Sequence, residues 1–227
     1  MKKTIKILPN VNDIHFTGRL YYEPQFNEKK TVATLTVIRN FGGEKGTVTE
    51  TFTMFKPKEG FPEYLKKGAP VEIHAYVNPN HWVNKDGQER DDIQFIVKTI
   101  ASVELGENKV LPAGNNIDYA GRVYGNVTVT GNVARFSLIR NFGGGKGAAV
   151  LDFVMFKKEG ESFPEILKSK APIVAKAYFN PDTWTDSNDV KREEIQYVIK
   201  SVEEAKLVEK EIETEDASGE EGVDVSE

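Results

Sequence analysis

Arg19 and Tyr21 stand two residues apart, and the same pair returns as Arg122 and Tyr124. Phe55-Lys56 returns as Phe156-Lys157, Tyr76 as Tyr178, and Trp82 as Trp184. Arg39 and Phe41, within IRNFGG, return as Arg140 and Phe142. Arg135 and Lys176 add cations to the second series, where the first carries Thr34 and His74. A ring beside a fixed positive charge can stack on a base and neutralise a phosphate, and it needs no acid, base or nucleophile to do so. Surface rings also serve interfaces between subunits or domains, so both uses stay open on residue type alone.

Other chemistry finds little support. The chain has no cysteine, which excludes a disulfide scaffold and thiolate metal sites. His15, His74 and His81 all lie in the first half, without the spacing of a metal-binding helix or a catalytic pair. No GxxxxGK[ST] stretch is present to hold a nucleoside triphosphate. The acidic residues Glu89, Asp91 and Asp92, with Glu193-Glu194 in the other half, read as a polar hairpin. The expectation is a protein that is not an enzyme, with no catalytic residue, metal or cofactor.

The elements that must position these rings repeat as well. GR at Gly18-Arg19 returns at Gly121-Arg122, MFK at Met54–Lys56 returns at Met155–Lys157, and AYVNPNHW returns as AYFNPDTW. Two domains follow, 1–108 and 109–208. In the first, alternation sets Ile14, Phe16, Gly18 and Leu20 on one side of a strand and His15, Thr17, Arg19 and Tyr21 on the other. Further rows run through Ala33, Leu35 and Val37, through Phe52 and Met54, through Val71 to Val77, and through Ile93, Phe95 and Val97. That makes five strands per half. Phe61–Gly68, with proline early, lysines late and glycine last, predicts a short helix between the third and fourth strands. The expected fold is all-β: two tandem OB-folds, each a five-stranded Greek-key barrel with that helix at one end.

IRNFGG then falls after the second strand, in a loop region that OB-folds use to hold oligonucleotides. Strict alternation puts Arg39 on the core side, so presenting it to a ligand requires a bulge or the end of the strand.

The GRL and GRV openings, the aromatic-lysine ends of the third strands, EYLKKG, and the hairpin carrying WVNKDGQER together resemble the bacterial single-stranded DNA-binding proteins, in the form with two domains per chain. The resemblance covers each repeat almost end to end. It implies single-stranded DNA as partner, bound without regard to sequence in replication, repair or recombination. It also implies a homodimer presenting four barrels, and nucleic-acid contacts at Arg19, Tyr21, Arg39, Phe41, Phe55, Lys56, Tyr76, Trp82 and their counterparts, Arg135 and Lys176 included. A structural or protein-interaction module, or an OB-fold for RNA or oligosaccharide, remains as the alternative.

Net charge is −5, but Glu209–Glu227 holds nine acidic residues against Lys210 alone, a net of −8 that leaves +3 for residues 1–208. The segment 209–227 reads as a disordered acidic tail, able to compete with a polyanion or, as the resemblance implies, to recruit replication or repair proteins. With no apolar run long enough for a signal peptide or membrane span, the expectation is a cytoplasmic protein, associated with the nucleoid when bound to DNA.

Overall fold

The computed structural model describes residues 2–42, 46–143 and 145–213. The predicted tail from 214 onward, and Gly43 and Gly144 of the repeated motif, lie outside these residues.

The strands are β1 (Lys2–Ile7), β2 (Asn12–Leu20), β3 (Gln25–Phe26), β4 (Val32–Asn40), β5 (Thr47–Phe55), β6 (Pro70–Val83) and β7 (Glu89–Ser102) in the first half. In the second half they are β8 (Asn115–Thr130), β9 (Val133–Asn141), β10 (Ala148–Phe156), β11 (Pro172–Thr185) and β12 (Lys191–Glu204), followed by β13 (Val208–Glu213). β2 pairs with β4 and β6, β4 with β5, β5 with β7 in parallel, and β7 with β6. The second half repeats this circuit with β8 to β12, including the parallel pair β10–β12. Five strands closed this way, the third parallel to the fifth, make an OB-type barrel. The apolar rows read from the sequence face inward: Ile14, Phe16, Leu35, Val37, Phe52, Ile73 and Val77 are all fully buried.

The predicted helix is absent. Phe61–Gly68 forms turns instead, with Leu65 N–H donating to Pro62 O (3.1 Å) and Ala69 N–H to Lys66 O (3.0 Å). Eight residues are too few to repay helix nucleation. The amides are also claimed from outside: Gly68 N–H donates to Leu20 O (2.7 Å) and Lys67 N–H to Glu23 Oε1 (3.2 Å). The counterpart behaves likewise, with Lys170 N–H donating to Val123 O (2.8 Å). Phe61, Tyr64 and Leu65 still pack against the core, so the segment caps the barrel as a turn.

The two barrels join along one seam. β2 and β8 pair antiparallel, from Asn12 opposite Tyr119 to Phe16 opposite Asn115, and merge both barrels into an eleven-stranded sheet. Their cores merge too, in one cluster of buried residues. Phe16 meets Phe179 edge-on at 5.2 Å, and Phe179 meets Tyr197 at 5.4 Å.

At each end of the seam a strand leaves its own barrel, and an asparagine side chain completes the ladder it leaves behind. Asn12 Nδ2 donates to Val77 O (2.9 Å), and Val77 N–H donates back to Asn12 Oδ1 (2.9 Å). Asn115 makes the same pair with Phe179, at 2.9 and 2.9 Å. Alanine at Asn12 strands a backbone N–H and C=O at a buried position. It is expected to destabilise the chain by about 2 kcal/mol, read as a lower urea midpoint; an unchanged midpoint contradicts this role.

The glycine of each GR pair is required where the first strand of each barrel lies against the second, β2 against β4 and β8 against β9. A Cβ on Gly18 would stand 2.5 Å from Val37 Cγ1 and 2.7 Å from Ile38 O, and one on Gly121 would stand 2.8 Å from Leu138 Cβ.

Outside the barrels, β1 and β13 form a separate two-stranded ribbon, so the first residues of the acidic segment pair with the lysine-rich amino terminus. Glu211 Oε2 lies 3.3 Å from Lys2 Nζ. No helix among the described residues is long and apolar enough to cross a membrane.

Candidate nucleic-acid interface

The outward face of β2, β4 and β5 carries Arg19, beside Ile38 and Thr49, and then Tyr21, whose N–H donates to Thr36 O at 2.8 Å. Phe55 stands at the far end opposite Val32, with exposed Lys56 next to it. Thr34, Thr36, Thr49, Thr51 and Thr53 fill the face between. β8, β9 and β10 repeat the layout with Arg122, Tyr124, Arg135 and Phe156. The matched rings are exposed to similar degrees: 58% and 54% for Phe55 and Phe156, 45% and 43% for Trp82 and Trp184, 42% and 57% for Tyr21 and Tyr124. An uncovered ring is unremarkable by itself; three matched pairs on a twofold repeat form a pattern.

The second copy is less welcoming to an anion. Asp152 stands where the first has Thr51, and Ser137 Oγ donates to its Oδ1 at 2.5 Å. Lys157 Nζ lies over the Phe163 ring at 5.7 Å, leaving Phe156 beside it exposed.

Arg19 and Arg122 each spend one N–H on a carbonyl of the barrel cap, Gly68 O (3.1 Å) and Lys170 O (3.2 Å), and keep the rest of the guanidinium accessible. Arg39 and Arg140 are committed further. β4 runs through Arg39 in register with β5 and without a bulge, so the side chain stays on the inner row. Its Nη1 donates to Thr17 O (2.9 Å), Pro112 O (3.1 Å), Gly114 O (3.3 Å) and the Thr17 hydroxyl. Arg140 Nη1 donates to Pro9 O (3.0 Å), Val11 O (3.3 Å) and Ala120 O (3.1 Å). Burial lowers both guanidinium pKa values from their ordinary range. Each arginine thus clamps the segment that leads into the other barrel's first strand, and Phe41 and Phe142 pack beneath them against the core, 5.5 and 5.7 Å from the guanidinium carbons.

Tyr76 and Tyr178 are half-buried on the outer face of β6 and β11, under Lys98 Nζ (5.9 Å) and Lys200 Nζ (5.5 Å). Trp82 and Trp184 lie farther out on the same hairpins, opposite Arg90 and Arg192. Lys176 is exposed, 3.8 Å from Glu203.

One groove gathers residues from both halves. A cleft of about 750 Å³ is lined by Tyr76 and Lys98 of the first barrel, Arg122 and Lys146 of the second, and Lys6 and Lys210 of the ribbon, with Arg140 and Phe142 in its wall. None of its described lining residues is acidic. Sequence reading misses Lys6, Lys98, Lys146 and Lys210; only Lys98, on the polar side of the fifth strand, carried a signal in the alternation.

No protein-family model matches the chain, and no curated protein matches it. Among solved structures, wild-type single-stranded DNA binding protein from Thermus aquaticus aligns at a TM-score of 0.58 with 16% identity, over 86% of this chain and 93% of that one. A deletion mutant of the same protein aligns at 0.57 with 17% identity, over 85% and 93%. The two chains share a fold. The alignment spans both barrels, so the likeness includes their arrangement in tandem.

Proposed function

We propose that the chain is a non-catalytic binder of single-stranded DNA in the manner of the bacterial single-stranded DNA-binding proteins, acting on strands exposed in replication, repair or recombination. The observation that carries this reading is the matched exposure of three aromatic pairs on the two barrels. Bases stack on Tyr21, Phe55 and Trp82 and on Tyr124, Phe156 and Trp184, while Arg19, Lys56, Arg122, Arg135 and the cationic groove accept phosphates. Stacking of this kind reads no sequence, since every base offers a flat face. Tethering two faces in one chain raises the effective concentration for the second contact. A homodimer with four barrels, a cytoplasmic location and recruitment of partners through the acidic tail belong to the same reading.

Titration with poly-dT at low and high salt, following Trp82 and Trp184 fluorescence, tests it against duplex DNA of equal length. Strong quenching by poly-dT, weakened by salt, with little response to duplex, is the expected outcome. If neither polymer changes the signal and no complex forms in a mobility assay, the rings belong to an assembly interface and the reading falls.

A further inference from the structure

His15, Glu72 and His74 are scattered in the sequence, yet the strand register collects them. On β2 and β6, His15 lies directly opposite His74, and Glu72 lies opposite Thr17, two residues before His74 on the same face. Residues i and i+2 of a strand share a face, and a directly opposed residue is their nearest cross-strand neighbour. The result is a triangle of two imidazoles and a carboxylate whose potential ligand atoms all lie within 4.8 Å of one another. His15 Nε2 is 2.6 Å from Glu72 Oε1, and the two imidazole rings stack at 4.5 Å with a 7° interplanar angle. Asp13 Oδ2 lies 3.6 Å from His74 Nδ1, while its Oδ1 accepts from Lys98 Nζ at 2.8 Å.

We propose that His15, Glu72 and His74 bind one divalent transition-metal ion of zinc-like chemistry per chain, on the outer face of the sheet beside the seam between the barrels. Two imidazoles and a carboxylate suit zinc, nickel or copper, whereas magnesium and calcium prefer oxygen alone. Bonds of about 2.0 to 2.1 Å in a tetrahedral site set ligand atoms about 3.4 Å apart, which small side-chain rotations reach from the present triangle. The ion takes the place of the hydrogen bond between His15 and Glu72, and a fourth position stays open to water or to Asp13. The half-buried setting, with side-chain exposures of 23% for His15, 35% for Glu72 and 43% for His74, shields the ligands while leaving entry from solvent. The stoichiometry is one because the second half has Asp118, Val174 and Lys176 at the matching positions, and the lysine supplies a cation of its own. A bound ion cross-links β2 to β6 at the strand that also pairs with β8.

The test uses tag-free, chelator-treated full-length chain, titrated with Co2+ by visible absorption and with Zn2+ by calorimetry. Saturation at one ion per chain is expected, with a rise in Tm on adding Zn2+. His15→Ala and His74→Ala each weaken binding by more than about tenfold, and Asp13→Asn, which alters only the neighbouring carboxylate, by about tenfold. His81→Ala, in the hairpin, leaves binding unchanged. Glu72→Gln keeps the side-chain shape, so weakened binding with an unchanged metal-free Tm separates loss of the ligand from loss of fold. Equal Zn2+ binding by the wild type and the His15→Ala/His74→Ala double variant, or no binding by the wild type, overturns the proposal.

Discussion

Replacing Phe55 and Phe156 together by alanine is expected to weaken binding of an oligo-dT that spans both barrels by about 100- to 1,000-fold. Each stacked base contributes about 1 to 3 kcal/mol by alanine substitution, and each 1.4 kcal/mol is about a factor of ten in affinity. Both rings are more than half exposed, at 58% and 54%, and end their strands outside the buried cluster, so Tm is expected to stay within a degree or two. Trp82 and Trp184 remain in place to report binding. The single variants need not be equal: Asp152 on the second face and Thr51 on the first predict a larger loss from Phe55→Ala than from Phe156→Ala. Unchanged affinity in the double variant, together with a shift in oligomeric state, would show that these rings bury against another chain.

The barrels were legible because an OB-fold advertises itself through alternation. Ile14, Phe16 and Leu20, or Val71, Ile73, Ala75 and Val77, are apolar at every second position because one face of the strand is core and the other is not. The outward parity that marked Phe55 and Tyr21 came from the same rule, and the exposures agree with it. The helix failed because its cues were local, whereas Leu20 and Glu23 claimed the amides that a helix must satisfy internally. Arg39 and Arg140 were misleading for a related reason. A charged residue on the core row looks like an error to be relieved by a bulge, and nothing in the sequence announces the carbonyls of Pro112, Gly114, Pro9 and Val11 that make the inner position satisfactory. Spacing along the chain also hides the histidines, because it is the wrong coordinate in a sheet: contact there depends on register, and His15 meets His74 across 59 positions. The ribbon of β1 and β13 was hidden by composition, since charge runs read as solvated tails until an opposite run is brought alongside.

The remaining large effect concerns a carboxylate on the core row. Glu50 lies opposite Val37 on β5, in the inward series with Val48 and Phe52, and the second half has fully buried Leu151 at the matching place. Burial raises its pKa from 4.5 to about 7, the backbone hydrogen bond at Thr51 opposing the rise. Across the seam, burial above all, and then the charges of Glu50 and Asp152, push the Tyr197 phenol well above its ordinary range. Below about pH 4.5 the Glu50 carboxyl is protonated both folded and unfolded, and it carries no penalty. Between pH 4.5 and 7 the unfolded chain releases the proton while the folded chain holds it, so stability falls as pH rises through that window. Above pH 7 both forms are ionised and the folded state carries the full cost of a buried charge, about 3 kcal/mol, since each tenfold change in proton affinity corresponds to about 1.4 kcal/mol. Glu50→Gln, which never ionises, is therefore expected to match the wild type near pH 4.5 and to exceed it by about 3 kcal/mol at about pH 8. Urea midpoints of the two proteins at both pH values measure the difference directly, with the other titrating groups common to both. A gap that does not widen between the two pH values would mean that the Glu50 carboxylate keeps its water in the folded chain and that the contact between the barrels opens around it.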